Sequence, residues 1–230
     1  MRVADNVEIL EIENERGTLN PVLTWDNDEL ILIDTGLPGQ IELFREAVKQ
    51  AGFDLEKITK VILTHQDMDH IGCAKVLSDL GAEILAHEAE TPFLQGDAIP
   101  VRIARMEARL EELNEEERAN YEQTKANAPL FYVHVDRQLK DNEDLPFCGG
   151  IKVIHTPGHM PGHIVLLLKK SNIMVVGDAA NLIDGKLTGA NPVYTSDMEG
   201  ADLSFKKMME FNPDYVACYH GGLYTVGSRD

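Results

Sequence analysis

A chain of 230 residues that is 43% hydrophobic and 26% charged can bury one sizeable core, and this balance excludes a disordered or low-complexity protein. With 39 acidic against 21 basic residues the formal net charge is -18, a field that repels RNA, DNA and anionic lipid, so the expected partner is a small molecule. Cys73, Cys148 and Cys218 lie far apart without CxxC spacing, no apolar h-region follows Met1 and no apolar run has spanning length; the expectation is a reduced, cytoplasmic protein without a membrane span.

In chain order, the alternation over Val7 to Ile12 predicts a half-exposed strand and Asn20 to Trp25 a second, followed by a turn at Asp26-Asn27-Asp28. Glu29 to Ile33 reads as a strand ending in Asp34-Thr35-Gly36, where Asp34 is either a metal-site residue or a turn carboxylate. Ile41, Phe44 and Val48 share one helical face, and Gly52 sits where a C-terminal cap belongs. The apolar Val61, Ile62 and Leu63 predict a short buried strand, and Gly72 to Leu80 a helix closed by Gly81. Between them runs Thr64-His65-Gln66-Asp67-Met68-Asp69-His70-Ile71-Gly72. Its two imidazoles and two carboxylates have the lone pairs to bind metal ions.

Ala82 to Ala86 then reads as a strand and Glu88 to Phe93 as a short helix, with His87 a structural residue at their junction. Residues 100–127 are a charged helical insertion. Its stripe of Ile103, Met106, Leu110 and Leu113 is expected to pack on the core or on a twin subunit in a homodimer, or to serve as a lid. Strands resume over Phe131 to Val135, Ile151 to His155, Ile164 to Leu168 and Ile173 to Val176. The second and third are joined by the irregular Thr156-Pro157-Gly158-His159-Met160-Pro161-Gly162-His163, and the fourth leads into Gly177-Asp178. Ser196 and Glu199 form a capping-box pattern before a helix bearing Met198, Ala201, Phe205 and Met208; a last strand, Tyr215 to Tyr219, ends in His220-Gly221-Gly222.

Four loops that each follow an apolar strand thus deliver Asp or His: His65 to His70, His159, Asp178 and His220. Loops at strand ends converge on one rim of a sheet, so these residues can meet although they are spread along the chain. With Asp34-Thr35-Gly36 and Tyr219-His220-Gly221 they make the chain, from Asp34 to Gly222, resemble the metallo-β-lactamase superfamily. The resemblance implies an α/β fold, a single αββα four-layer sandwich of two mixed sheets flanked by helices over residues 1–230, with a dinuclear site at the edge between the sheets. It implies that His65, position 67 and His159 hold the first metal, that Asp69, His70 and His220 hold the second, and that Asp178 bridges them. The departure is Asp67, where the family's His-x-His-x-Asp-His pattern has His. Carboxylate is a harder, anionic ligand, so manganese or iron joins zinc as the expected metal, and the site is less positive than usual.

The chemistry expected from the resemblance is attack by a metal-bridging hydroxide on an ester, thioester or lactone, with Asp69 orienting the hydroxide and taking its proton. Tyr194 and Tyr224 are candidate oxyanion donors, and His163 either orients a ligand or is satisfied by backbone; His134 and His155 are assigned no role. Because the sequence ends ten residues after His220, without the helical part by which glyoxalase II enzymes recognise glutathione, small uncharged esters and lactones are the expected substrates. The alternative is a di-iron oxidoreductase without its own flavin domain, since flavodiiron proteins carry Glu where this chain has Asp67.

Overall fold

The computed structural model describes residues 1–15 and 17–227. Strands of one sheet run in the order Arg2–Ala4, Val7–Ile9, Val22–Trp25, Leu30–Ile33, Lys60–Leu63, Glu83–His87 and Arg137–Leu139. The first four pair antiparallel; from Leu30–Ile33 onward the pairing is parallel. The second sheet runs Asp144–Leu145, Ile151–His155, Ile164–Leu168, Ile173–Val175, Tyr215–Cys218 and Gly222–Thr225, antiparallel except where Ile173–Val175 lies parallel to Tyr215–Cys218.

Alternation along these strands builds four layers. Ile31, Ile33, Ile62 and Leu85 of the first sheet meet Val153, Ile164, Leu166 and Val175 of the second in a core between the sheets. Their neighbours Leu32, Val61 and Leu63 point outward and are covered by Phe44 and Val48 of helix Ile41–Gln50 and Leu77 of helix Ala74–Asp79. On the other side Ile154, Val165, Met174 and Val216 are covered by Met208 of helix Met198–Met209. Central strands buried on both faces are why Leu30–Ile33 and Ile164–Leu168 read as unbroken apolar runs. The αββα sandwich expected from the resemblance is the fold observed.

Several elements differ from the sequence reading. Val7 to Ile12 splits, with Ile12–Asn14 leaving the sheet to pair with Gly17–Leu19. Phe131 to Val135 is no strand: a 3-10 turn over Ala128–Phe131 and a loop precede the strand Arg137–Leu139, because the apolar Val133 and Val135 are buried from a loop. The last helix is capped by Asp197, which accepts from the Gly200 amide, in place of Ser196. The hairpin Ala180–Ile183/Lys186–Gly189, too polar to show periodicity, is additional. In the insertion, Val101–Glu107 and Glu115–Asn127 are helices, the second with a capping box between Asn114 and Glu117. The stripe of Ile103, Met106, Leu110 and Leu113 packs with Tyr121 and Ala128 in a small cluster of its own, apart from the main core.

The sheets are stitched where the site forms. The Ile164 amide donates to Thr64 O (3.1 Å) and the Asn20 amide to Tyr219 O (3.0 Å), so strand ends from both sheets share one edge. At Gly72 a Cβ would lie 2.2 Å from the Pro38 nitrogen; only glycine lets the loop after Asp34 lie flat on the motif.

Candidate metal centre

Each of the seven side chains expected to hold metal comes from a loop or short helix that follows a strand, and the structure brings them into two groups. One holds His65, Asp67, His159 and Asp178, the other Asp69, His70 and His220, with the ligand atoms of each group within 4.8 Å of one another. Asp178 joins the groups: its Oδ2 lies 3.5 Å from His159 Nε2, and its Oδ1 lies 3.3 Å from both His70 Nε2 and His220 Nε2. Asp67 Oδ2 stands 3.1 Å from His159 Nε2 and 3.4 Å from His65 Nε2, and Asp69 Oδ2 is 3.3 Å from His220 Nε2 and 3.9 Å from His70 Nε2. Donors on a tetrahedral ion with bonds of about 2.0–2.1 Å stand about 3.3–3.4 Å apart, and the separations here, 3.1 to 3.9 Å, scatter about that value.

The imidazole tautomers support the same fit. His70 Nδ1 donates to Asp34 Oδ2 (2.8 Å), which leaves Nε2 a bare lone pair. The Thr64 hydroxyl donates to the same Asp34 oxygen (2.8 Å) and so receives the proton of His65 Nδ1 (3.0 Å), while the Thr64 amide binds Asp34 Oδ1 (2.8 Å). The Thr195 hydroxyl donates to Asn191 O (2.7 Å) and faces His159 Nδ1 at 3.4 Å. As neutral rings in these tautomers, three imidazoles turn Nε2 lone pairs toward carboxylate oxygens, an arrangement that repels itself unless a proton or a metal cation sits between. Buried His65 Nε2, His70 Nε2 and Asp178 Oδ1 accordingly lack hydrogen-bond partners. These residues fit a pair of divalent ions.

Charge in the site follows its geometry. Burial would raise the Asp178 carboxyl, but the neighbouring His70 and His220 imidazoles hold it well below the usual carboxylate range. Burial likewise opposes charge on His70, yet Asp34, Asp178 and Asp69 push its proton affinity well above the ordinary imidazole value. A field that holds a proton so firmly also attracts a metal cation.

Supporting residues occupy the next layer. Asp34, at φ 63°, orients His70 directly and His65 through Thr64 and belongs to neither metal set. His163 Nε2 accepts the Asp178 amide (3.1 Å) while its Nδ1 faces Thr156 Oγ1 (2.9 Å), so it fixes the Asp178 backbone. At Gly177, φ 48°, a Cβ would come 2.8 Å from His163 Nε2. The buried Tyr219 ring lies on His70 (centroids 3.9 Å) and its hydroxyl bonds the Asp69 carbonyl. His87 and His155 stack on each other at 4.1 Å, His134 belongs to neither metal set, and Tyr224 packs beside the Met208 cluster. Tyr194 lines the cleft.

The sequence reading placed Tyr219 in a motif but assigned it no role, and missed Thr195 and Arg102. Tyr219 stood beside a ligand and carried a signal; Thr195 and Arg102, 36 and 35 residues from the side chains they contact, carried none. Arg102 donates to both oxygens of Asp67.

Behind the motif, Glu90 accepts from the Gly162 amide (2.7 Å) and Gln66 Nε2 (2.9 Å). Burial pushes its carboxyl up to about 7 despite those bonds. The folded state therefore keeps this proton where the unfolded chain has lost it, and the group's cost to stability grows from about pH 4.5 to pH 7. Between pH 5 and 7.5 the metal-free protein should lose about 2 kcal/mol relative to Glu90→Gln in denaturant titrations. A pH-independent difference between the two proteins would remove Glu90 as the cause.

Residues 16–220 match the family described as the metallo-beta-lactamase superfamily. The chain is 27% identical over 211 residues to the probable metallo-hydrolase YflN of Bacillus subtilis, covering 83% of this chain and 75% of that protein. It is 25% identical over 229 residues to the hydroxyacylglutathione hydrolase GloC of Haemophilus influenzae, covering 97% and 94%. The metallo-beta-lactamase family protein TTHA1429 of Thermus thermophilus shares the fold with a TM-score of 0.75 at 22% identity, over 96% of this chain and 75% of that one. The matched segment contains both ligand sets from His65 to His220, and the chain belongs to the metallo-beta-lactamase superfamily as a metal-dependent hydrolase.

Proposed function

We propose that the protein hydrolyses an ester, thioester or lactone bond of a small molecule with two zinc ions, held by His65, Asp67 and His159 and by Asp69, His70 and His220, with Asp178 between them. The observation that carries this reading is Asp178, which offers one carboxylate oxygen to each imidazole set. Bound there, the ions supply Lewis acidity for the scissile carbonyl and lower the pKa of water.

The chain's own residues do the rest. A cleft of about 660 Å³ opens over the site, lined by Asp69, Asp178, His220, Arg102, Tyr194 and Leu182 among others. That volume suits a small molecule. Asp69 is part-exposed at the cleft floor, its main chain fixed by the Tyr219 hydroxyl, and serves to orient the attacking water and accept its proton. Tyr194 stands at the rim as a donor to the developing oxyanion.

A thioester stays within this class. GloC, which is named a hydroxyacylglutathione hydrolase, is covered over 94% of its length, so a hydrolase of that name is barely longer than this chain. The pairing of Asp67 with Arg102 offsets the negative charge that sets Asp67 apart from histidine, which brings the charge of the site back to that of the usual zinc-binding set. The test is hydrolysis of matched ester, thioester and lactone panels by protein purified without added metal. Turnover of at least one class should disappear on chelation and return with about two zinc equivalents per chain. Turnover that survives complete metal removal, or no turnover with any class, defeats the reading.

A further inference from the structure

Helix Val101–Glu107 begins on the metal motif itself. The Val101 amide donates to Gln66 Oε1 (2.8 Å), and one residue on, Arg102 grips Asp67: Nε donates to Oδ1 at 2.6 Å and Nη2 donates to Oδ2. Asp67 is only 2% exposed and the Arg102 side chain 38%, so this is a fork-to-fork pair buried at its carboxylate end, where a charged hydrogen bond is stronger than in an ion pair exposed on both sides. The guanidinium also lies over the Tyr194 ring, 4.7 Å from its centroid. Ring, carboxylate and helix start together hold Arg102 in one place.

A carboxylate has about four lone-pair sites. Arg102 occupies one on each oxygen. Oδ1 is thereby turned toward the insertion helix, and Oδ2 keeps a lone pair directed between His159 Nε2 and His65 Nε2, at 3.1 and 3.4 Å. The carboxylate therefore meets the first metal set through one oxygen, as an imidazole would. Its charge is cancelled as well, since Asp67 and Arg102 together sum to zero, the charge of a neutral histidine.

We infer that Arg102 is a positioning residue for the first metal set, and that the Asp67–Arg102 pair acts as one neutral, single-atom ligand in place of the histidine usual at this position. The inference rests on the dinuclear reading above. It also makes the insertion part of the metal site, because the arginine comes from its first helical turn.

The test is a cycle of variants read by metal affinity, with zinc titrated into apo protein against a chromophoric chelator and zinc content measured after dialysis. Arg102→Met should weaken one of the two zinc ions by about 10–100-fold and leave the other within about threefold. Arg102→Lys, which keeps the charge without the fork, should recover only part of that loss. Asp67→His should also bind one ion more weakly, because it leaves the guanidinium facing the metals without its carboxylate. Asp67→His/Arg102→Met should bind two ions within about threefold of the wild type, far from the product of the two single losses. Far-UV circular dichroism reports whether the helices persist, and the double variant and Arg102→Lys decide the matter should Arg102→Met unfold. Wild-type zinc affinity in Arg102→Met, or strictly multiplicative losses in the double variant, overturns the inference while two ions in the wild type leave the dinuclear reading standing. A wild type that binds no zinc overturns both.

Discussion

Asp178→Ala should lower kcat/KM by at least about 10³-fold, about 4 kcal/mol of transition-state stabilisation, and should reduce the zinc content from two ions to one or fewer. Among the described residues no other carboxylate stands within reach of imidazoles of both sets: Oδ1 faces His70 and His220 at 3.3 Å each and Oδ2 faces His159 at 3.5 Å. Without it the two groups of imidazoles have no shared counter-charge. The purified variant needs both measurements, activity on the best substrate and metal by mass spectrometry. If two ions remain and more than a tenth of the activity survives, Asp178 is not the bridge.

The second large effect belongs to a residue outside the ligand sets. Asp34→Asn should cost about 10–100-fold in zinc affinity at the set containing His70, with hydrolysis falling in step. Asparagine tolerates the left-handed backbone at φ 63° that alanine would strain, so the substitution tests chemistry alone. Its oxygen must face the Thr64 amide, which puts the NH₂ where Oδ2 received the Thr64 hydroxyl and His70 Nδ1. Two donors then meet, and His70 escapes by moving its proton to Nε2, the atom required for metal. Far-UV circular dichroism should be unchanged while zinc affinity drops. Wild-type zinc affinity in this variant would show that Asp34 does not set the tautomer.

The same distinction separates what could be read along the chain from what could not. The motif from His65 to His70 is contiguous because a strand end followed by the short helix Met68–Ile71 splays several ligands into one cleft, so its chemistry is visible in six residues. His159, Asp178 and His220 were legible because each follows an apolar strand, and that pattern marks a loop on the sheet rim. Helix Ile41–Gln50 and most strands follow from hydrophobic period alone. The 131–135 segment misled for the same reason: its alternating Val133 and Val135 are buried from a loop without joining a strand ladder.

By itself, then, the sequence marked the buried strands and the Asp and His residues that follow them, because burial on both faces of central strands and side chains at strand ends are local properties of composition and spacing, and through these motifs the family resemblance supplied the four layers and the seven candidate metal residues. Tertiary structure alone decided how the ligands are held and charged. Asp34 reaches His70 across 36 residues, Arg102 reaches Asp67 across 35, and His163 reaches the Asp178 amide across 15. Such contacts depend on how loops from two sheets and an insertion meet at one edge. Hydrogen bonds and ion pairs act only over a few ångströms in space, and no spacing along the chain encodes that proximity.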